Sequence, residues 1–233
     1  MSLRAGAKRR IKDWVVRLFS TPARDLQLAM IRRAADSTAA YIETHMPATP
    51  TVLDTMTHLR QALKAVTVAG LYLEFGVWKG RTLRVIARTV ADHPVYGFDS
   101  FAGLPEDWWR FGKGNFALKQ PPQMPSNVTL VKGWFDETLP EFLAQRPEPV
   151  AFIHIDCDLY SSTQTVLNLL APRLCPGTVI VFDEYFNYAG WKEHEFRAFQ
   201  EFIAESGCTY RYLSYVRWGA EVAVRIESVP PRD

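Results

Sequence analysis

The sequence predicts an α/β fold: a mostly parallel seven-stranded sheet with an antiparallel last strand, helices on both faces and extra helices at the N-terminus. Three observations carry this reading. Between residues 70 and 182 short apolar runs alternate with segments of helical periodicity, the pattern of parallel strands joined by crossover helices. Four of those runs end at or near acids, Glu74, Asp99, Asp156 and Asp183, and the carboxyl ends of parallel strands are where open α/β sheets bind ligands. Beyond residue 206 the rhythm breaks into two strand-like runs, 209–215 and 220–226, joined by a short turn around Trp218-Gly219, so the final strand should run antiparallel beside its neighbour.

The elements follow in order. Residues 25–43 have helical spacing, with Leu26, Ala29, Met30 and Ala34 on the apolar side, and Pro47 and Pro50 end the helix. A second helix is expected over 52–66. Then come strand 70–76, helix 80–91, strand 94–98, strand 127–132, helix 136–145, strand 150–156, helix 160–171 and strand 177–182, with a last helix at 193–206. Residues 1–66 read as an N-terminal helical extension and 67–233 as the catalytic domain. Between Ser100 and Ser126 there is no periodicity, but Trp108, Trp109 and Phe111 sit there, and an irregular aromatic segment of this length in a compact domain reads as a substrate lid.

Composition narrows the function. With 48% apolar residues the chain can bury a substantial core, and a formal charge of +2 argues against a nucleic-acid surface. Small molecules are the expected partners. Cys157, Cys175 and Cys208 lack the spacing of a zinc site or a disulfide framework and read as reduced thiols of a cytoplasmic protein. No apolar run approaches the ~20 residues that span a bilayer. Six basic residues and an apolar face of Ile11, Trp14, Val15 and Leu18 mark residues 1–19. That helix is expected to pack on its own domain or on a second subunit, with membrane contact as the alternative. A homodimer through the N-terminal helices is an open expectation.

The stretch Leu71 to Thr82 is an apolar strand running into an acid, Glu74, and two glycines, Gly76 and Gly80, before a helix begins. Glycines allow a tight turn and close backbone approach, and the helix start offers free N–H groups. The spacing, E-x-G-x-x-x-G-x-T, departs from the G-x-G-x-x-G of dinucleotide sites, and this looser turn suits a ligand without pyrophosphate, such as S-adenosylmethionine. Thr82, Ser100 and Asp156 join this cofactor set. Asp99 lies 25 residues after Glu74, where a second strand end receives ribose hydroxyls.

The densest acids are Asp156 and Asp158, then Asp183 and Glu184, each pair closing an apolar strand. Crowded carboxylates persist when protonated, paired or neutralised by a cation, and all-oxygen ligation favours magnesium. Asp156, Asp183 and Glu184 are the expected ligands. Asp158 is either a general base facing the substrate or a cap for the helix after it. His154, inside an apolar strand, reads as a hydrogen-bonded core histidine, and His194 has no evident partner.

These segments together resemble the macrocin O-methyltransferase family of sugar-modifying class I methyltransferases, over roughly residues 71–226. The resemblance rests on Leu73-Glu74-Phe75-Gly76-Val77-Trp78-Lys79-Gly80, Gly97-Phe98-Asp99-Ser100-Phe101-Ala102-Gly103-Leu104-Pro105, Lys132-Gly133-Trp134-Phe135-Asp136-Glu137, Ile153-His154-Ile155-Asp156-Cys157-Asp158-Leu159-Tyr160 and Phe182-Asp183-Glu184-Tyr185. It implies magnesium-dependent transfer of a methyl group from S-adenosylmethionine to a hydroxyl of a sugar or glycosylated small molecule. On the family pattern Glu74 and Gly76 hold the amino-acid end of the donor, Asp99 the ribose, and Gly133, Trp134 and Phe135 surround the adenine. Asp156 with Asp183 and Glu184 would bind the metal and Asp158 would be the base. The chain departs from the family at Glu184, where relatives have aspartate, and at Cys157, where they have glycine. Its rivals are a metal-dependent glycosyltransferase using Asp156 and Asp158, and a non-catalytic assembly domain on the same fold.

Overall fold

A computed structural model describes residues 25–231, so the basic helix expected over 1–19 lies outside the described residues. Helix α1 (Leu26–His45) opens on Asp25, whose side chain accepts the Leu28 N–H at 3.0 Å. The helix expected over 52–66 is instead a strand and a shorter helix. β1 (Thr51–Val52) pairs parallel with a late strand, and Asp54 then caps α2 (Thr55–Lys64) by accepting the Thr57 N–H at 2.9 Å. A two-residue strand leaves no periodicity to read. An Asp that satisfies a first-turn donor fixes the true helix start.

The alternating units follow as expected: β2 (Leu71–Phe75), α3 (Arg81–Thr89), β3 (Val95–Asp99), β4 (Val128–Lys132), α4 (Phe135–Ala144), β5 (Val150–Ile155), α5 (Tyr160–Leu170) and β6 (Val179–Phe182). Helix α6 (Glu195–Ser206) leads to β7 (Thr209–Val216) and β8 (Val222–Ser228). They form one eight-stranded sheet in the order β1-β7-β8-β6-β5-β2-β3-β4, one strand more than the sequence predicts. Only β8 runs against its neighbours, antiparallel to both β6 and β7.

Every residue of β2, β5 and β6 is buried, as expected of central parallel strands covered on both faces. Alternation sends Leu71, Leu73, Phe75, Ile153, Ile155, Ile180 and Phe182 to the face packed by α4, α5 and α6. Tyr72, Phe152, Val179 and Val181 face the opposite layer, where Leu59 and Leu63 of α2 and Leu83 and Ile86 of α3 cover them. The chain leaves β2 toward β3 on one side while β5 and β6 extend on the other, so the carboxyl ends of β2 and β5 flank a switch in strand order, where a crevice forms. Among the described residues no helix is long and apolar enough to cross a membrane.

Candidate active site

Above those strand ends lies a cleft of about 600 Å³. On its first side the backbone leaving β2 passes so close to β5 that a Cβ on Gly76 would sit 1.6 Å from the Asp156 carbonyl oxygen, and Gly76 has φ +91°. Only glycine fits there. The turn that follows is pinned by Asp99: its Oδ2 accepts the N–H groups of Val77 at 2.9 Å and Trp78 at 2.7 Å, and its Oδ1 that of Phe101 at 2.6 Å. One carboxylate thus fastens the β2 turn to the β3 turn and still lines the cleft, as do Gly76, Thr82 and Ser100. Trp134 and Phe135 line it too, and Phe135 meets Phe75 edge-on at 5.3 Å.

Three residues expected at the ligand stand behind the wall. Glu74 is fully buried inside β2, where it accepts the Thr82 hydroxyl at 2.7 Å. It lies one residue short of the strand end, so the sheet encloses it. Gly80, with φ +69°, opens α3, and a Cβ there would meet Met124 Sδ at 2.7 Å. Gly133, with φ +147°, is crowded by Thr138 and donates its N–H to the Asp99 carbonyl at 3.1 Å. Each shapes the turn beside the cleft without lining it.

On the second side the acids converge. Carboxylate oxygens of Asp156, Asp158 and Glu184 lie within 4.8 Å of one another, and all three residues line the cleft. Asp183, expected in this set, is not part of it. Its Oδ1 lies 3.7 Å from His154 Nε2, while His154 Nδ1 lies 3.7 Å from Glu74 Oε2. Asp158 does not cap α5: the cap position is Leu159, and no side chain bonds the helix start. Asp158 has φ +65°, and the Leu159 N–H to Cys157 C=O bond of 2.6 Å closes a three-residue turn around it. A non-glycine residue in this rarely populated conformation is a form of strain that collects at functional sites. The Cys157 side chain is buried, with its Sγ 3.5 Å from the Thr163 hydroxyl.

Burial sets the protonation of the cluster. It pushes the Asp158 carboxyl up to about 7, helped by the charge of Asp183 and opposed by a hydrogen bond with Glu184. Burial first and Asp183 second raise Asp156 and Glu184 well above the carboxylate range. Burial also lifts Glu74. For His154 burial works against the charged ring, but its Asp183 and Glu74 partners outweigh it and hold the imidazole well above its ordinary value.

Some site residues went unread in the sequence. Glu195, in the first turn of α6, is fully buried, accepts the Glu184 N–H at 3.1 Å through Oε2 and leaves Oε1 without a partner. Glu221 also lines the cleft, held by the Thr55 hydroxyl and the Ala220 N–H. An acid that begins a helix reads as a dipole partner, and one in a hairpin reads as surface, so neither stood out. The aromatic segment between Ser100 and Ser126 reaches the cleft: Leu104, Trp108, Trp109 and Phe116 line it, and Trp108 packs with Leu104 and Leu159.

A family model described as a methyltransferase domain matches residues 73–185. The chain is 31% identical over 158 residues to the 8-demethyl-8-(2,3-dimethoxy-alpha-L-rhamnosyl)-tetracenomycin-C 4'-O-methyltransferase of Streptomyces olivaceus, covering 57% of this chain and 59% of that protein. It is 29% identical over 157 residues to the demethyldecarbamoylnovobiocin O-methyltransferase of Streptomyces niveus, covering 55% and 58%. The alignments therefore span less than two thirds of these curated relatives. Among solved structures, the calicheamicin methyltransferase CalS11 matches with a TM-score of 0.61 at 25% identity, over 73% of this chain and 77% of that one. The O-methyltransferase NovP matches with a TM-score of 0.55 at 25% identity, over 74% and 79%. The fold is that of the class I methyltransferases.

Proposed function

We propose that this chain is an S-adenosylmethionine-dependent O-methyltransferase that methylates a hydroxyl of a sugar or glycosylated small molecule with the help of a divalent cation, magnesium first. One observation carries the reading: the Asp99-pinned turn and the Asp156, Asp158 and Glu184 carboxylates open into the same cleft. The sugar O-methyltransferases that the chain resembles support the acceptor class.

In this reading Gly76 and the Val77 and Trp78 backbone seat the amino-acid end of the donor, with Thr82 beside them. Asp99 keeps lone pairs for ribose hydroxyls after accepting its three backbone donors. Trp134 and Phe135 flank the adenine, and the lid residues Trp108 and Trp109 cover the acceptor ring and exclude water. The residues also fit a cation, since Asp156 and Glu184 offer hard oxygen donors and Glu184 Oε2 is buried without a partner. Bound there, magnesium would offset the crowded negative charge and make an acceptor hydroxyl more acidic. Asp158 is the base that takes the hydroxyl proton as the methyl carbon moves from sulfur to oxygen. Alignment of acceptor and donor is the protein's main contribution, a kind of positioning that supplies ~7 to 11 kcal/mol in favourable cases.

The test is methyl transfer from labelled S-adenosylmethionine to a panel of deoxysugar-bearing acceptors, with and without chelator. Transfer that stops with chelator and returns with magnesium is expected. Donor binding without transfer to any glycosylated acceptor would argue for a non-catalytic role.

A further inference from the structure

We infer that Thr82, Glu74, His154 and Asp183 form a buried relay tying the donor side of the cleft to its acid side, with Glu74 and His154 as positioning residues. The inference rests on the methyl-donor reading above. Both ends of the row line the cleft, Thr82 at the start of α3 and Asp183 just past β6. The middle is closed to solvent, Glu74 being 0% and His154 1% exposed. The row crosses adjacent strands, because Glu74 of β2 is in register with His154 of β5 and His154 with Val181 of β6.

What sets this row apart from an ordinary buried histidine is that its facing atoms make no hydrogen bond to any group outside it. Glu74 spends Oε1 on the Thr82 hydroxyl, its Oε2 lies 3.7 Å from His154 Nδ1, and Asp156 brings a carboxylate oxygen within 4.8 Å of ligand atoms of both. Glu74 Oε2, His154 Nδ1 and Asp183 Oδ1 are all buried without a hydrogen bond. Polar groups in a low-dielectric interior are costly when unpaired, so each is held to the neighbour in the row and cannot relax toward water. A turn of the Asp183 carboxylate therefore changes what the imidazole offers Glu74, and through Glu74 how Thr82 is held at the donor wall.

The experiment is a double-mutant cycle read by calorimetric binding of S-adenosylhomocysteine. Asp183→Asn is expected to weaken binding by about fivefold or more, a typical coupling between sites. His154→Gln should weaken it at least as much, and the double variant should bind no worse than His154→Gln alone, because both changes break the same row. If His154→Gln does not fold, Glu74→Gln takes its place in the same cycle with the same expectation. Unchanged affinity in Asp183→Asn overturns the relay. A loss from Asp183→Asn that persists in full without His154 or Glu74 also overturns it, since Asp183 would then act on the ligand directly. Either result leaves the methyltransferase reading standing, whereas wild-type protein that does not bind the probe sinks that reading and the relay with it.

Discussion

In the proposed mechanism Asp158 is the residue on which the chemistry turns. Its carboxylate does not cap the helix that follows, and burial brings its pKa up to about 7, suited to proton transfer near neutrality. Asp158→Asn should keep S-adenosylhomocysteine affinity and lower turnover by ~10²- to 10⁴-fold, measured under saturating donor. Turnover within a few fold of wild type would remove it from the mechanism. Gly76 makes an opposite prediction, about folding. Gly76→Ala forces a Cβ to within 1.6 Å of a carbonyl oxygen at φ +91°, so it should cost about 3 kcal/mol or more in urea denaturation. At this scale the sequence was readable where a residue type has few uses, as with the tight turn at Gly76. It was unreadable where orientation decides: Asp183 and Glu184 are neighbours, yet one meets His154 and the other the acid group.

Among the elements, those with long periodic patterns were legible and those made by a single cap or pairing were not. The alternating strands and helices from β2 to β6 follow from apolar runs that the sheet buries on both faces. β1 and the start of α2 depend instead on Asp54 and on pairing with β7, a partner remote in sequence. Asp54→Ala should therefore cost ~1 kcal/mol, the usual worth of an N-cap, and Asp54→Asn almost nothing. Because Thr55 and Met56 line the cleft, the alanine variant should also loosen acceptor binding, seen as a higher KM with little change in kcat.

For the whole molecule, His58 of α2, fully buried over the sheet, makes one contribution to the pH dependence of stability, opposed over the same range by the buried acids Asp156, Asp158 and Glu184, whose pKa values burial raises. Burial pushes its pKa from 6.5 down to about 4, against the pull of the Ser214 carbonyl; His154 lowers it further and Asp183 raises it. The folded protein refuses a proton that the unfolded chain takes up below 6.5, so this stability is present above 6.5 and lost as pH falls toward 4. The amount is about 3 kcal/mol. Relative to wild type, His58→Gln, which keeps a donor for the Ser214 carbonyl, should gain urea stability as pH falls from 6.5 to 4, and a difference between the two proteins that does not change with pH would exclude the His58 contribution.

The place of β8 has a consequence for how the molecule is made. It follows the other strands in the chain yet lies between β6 and β7. A ribosome working at about 5–20 residues per second therefore leaves the β6 edge bare for some seconds after that strand emerges. During that interval an apolar edge is open to pairing with other nascent chains. Yield in the cell should thus depend on translation speed and chaperone supply more steeply than the finished protein's stability would suggest.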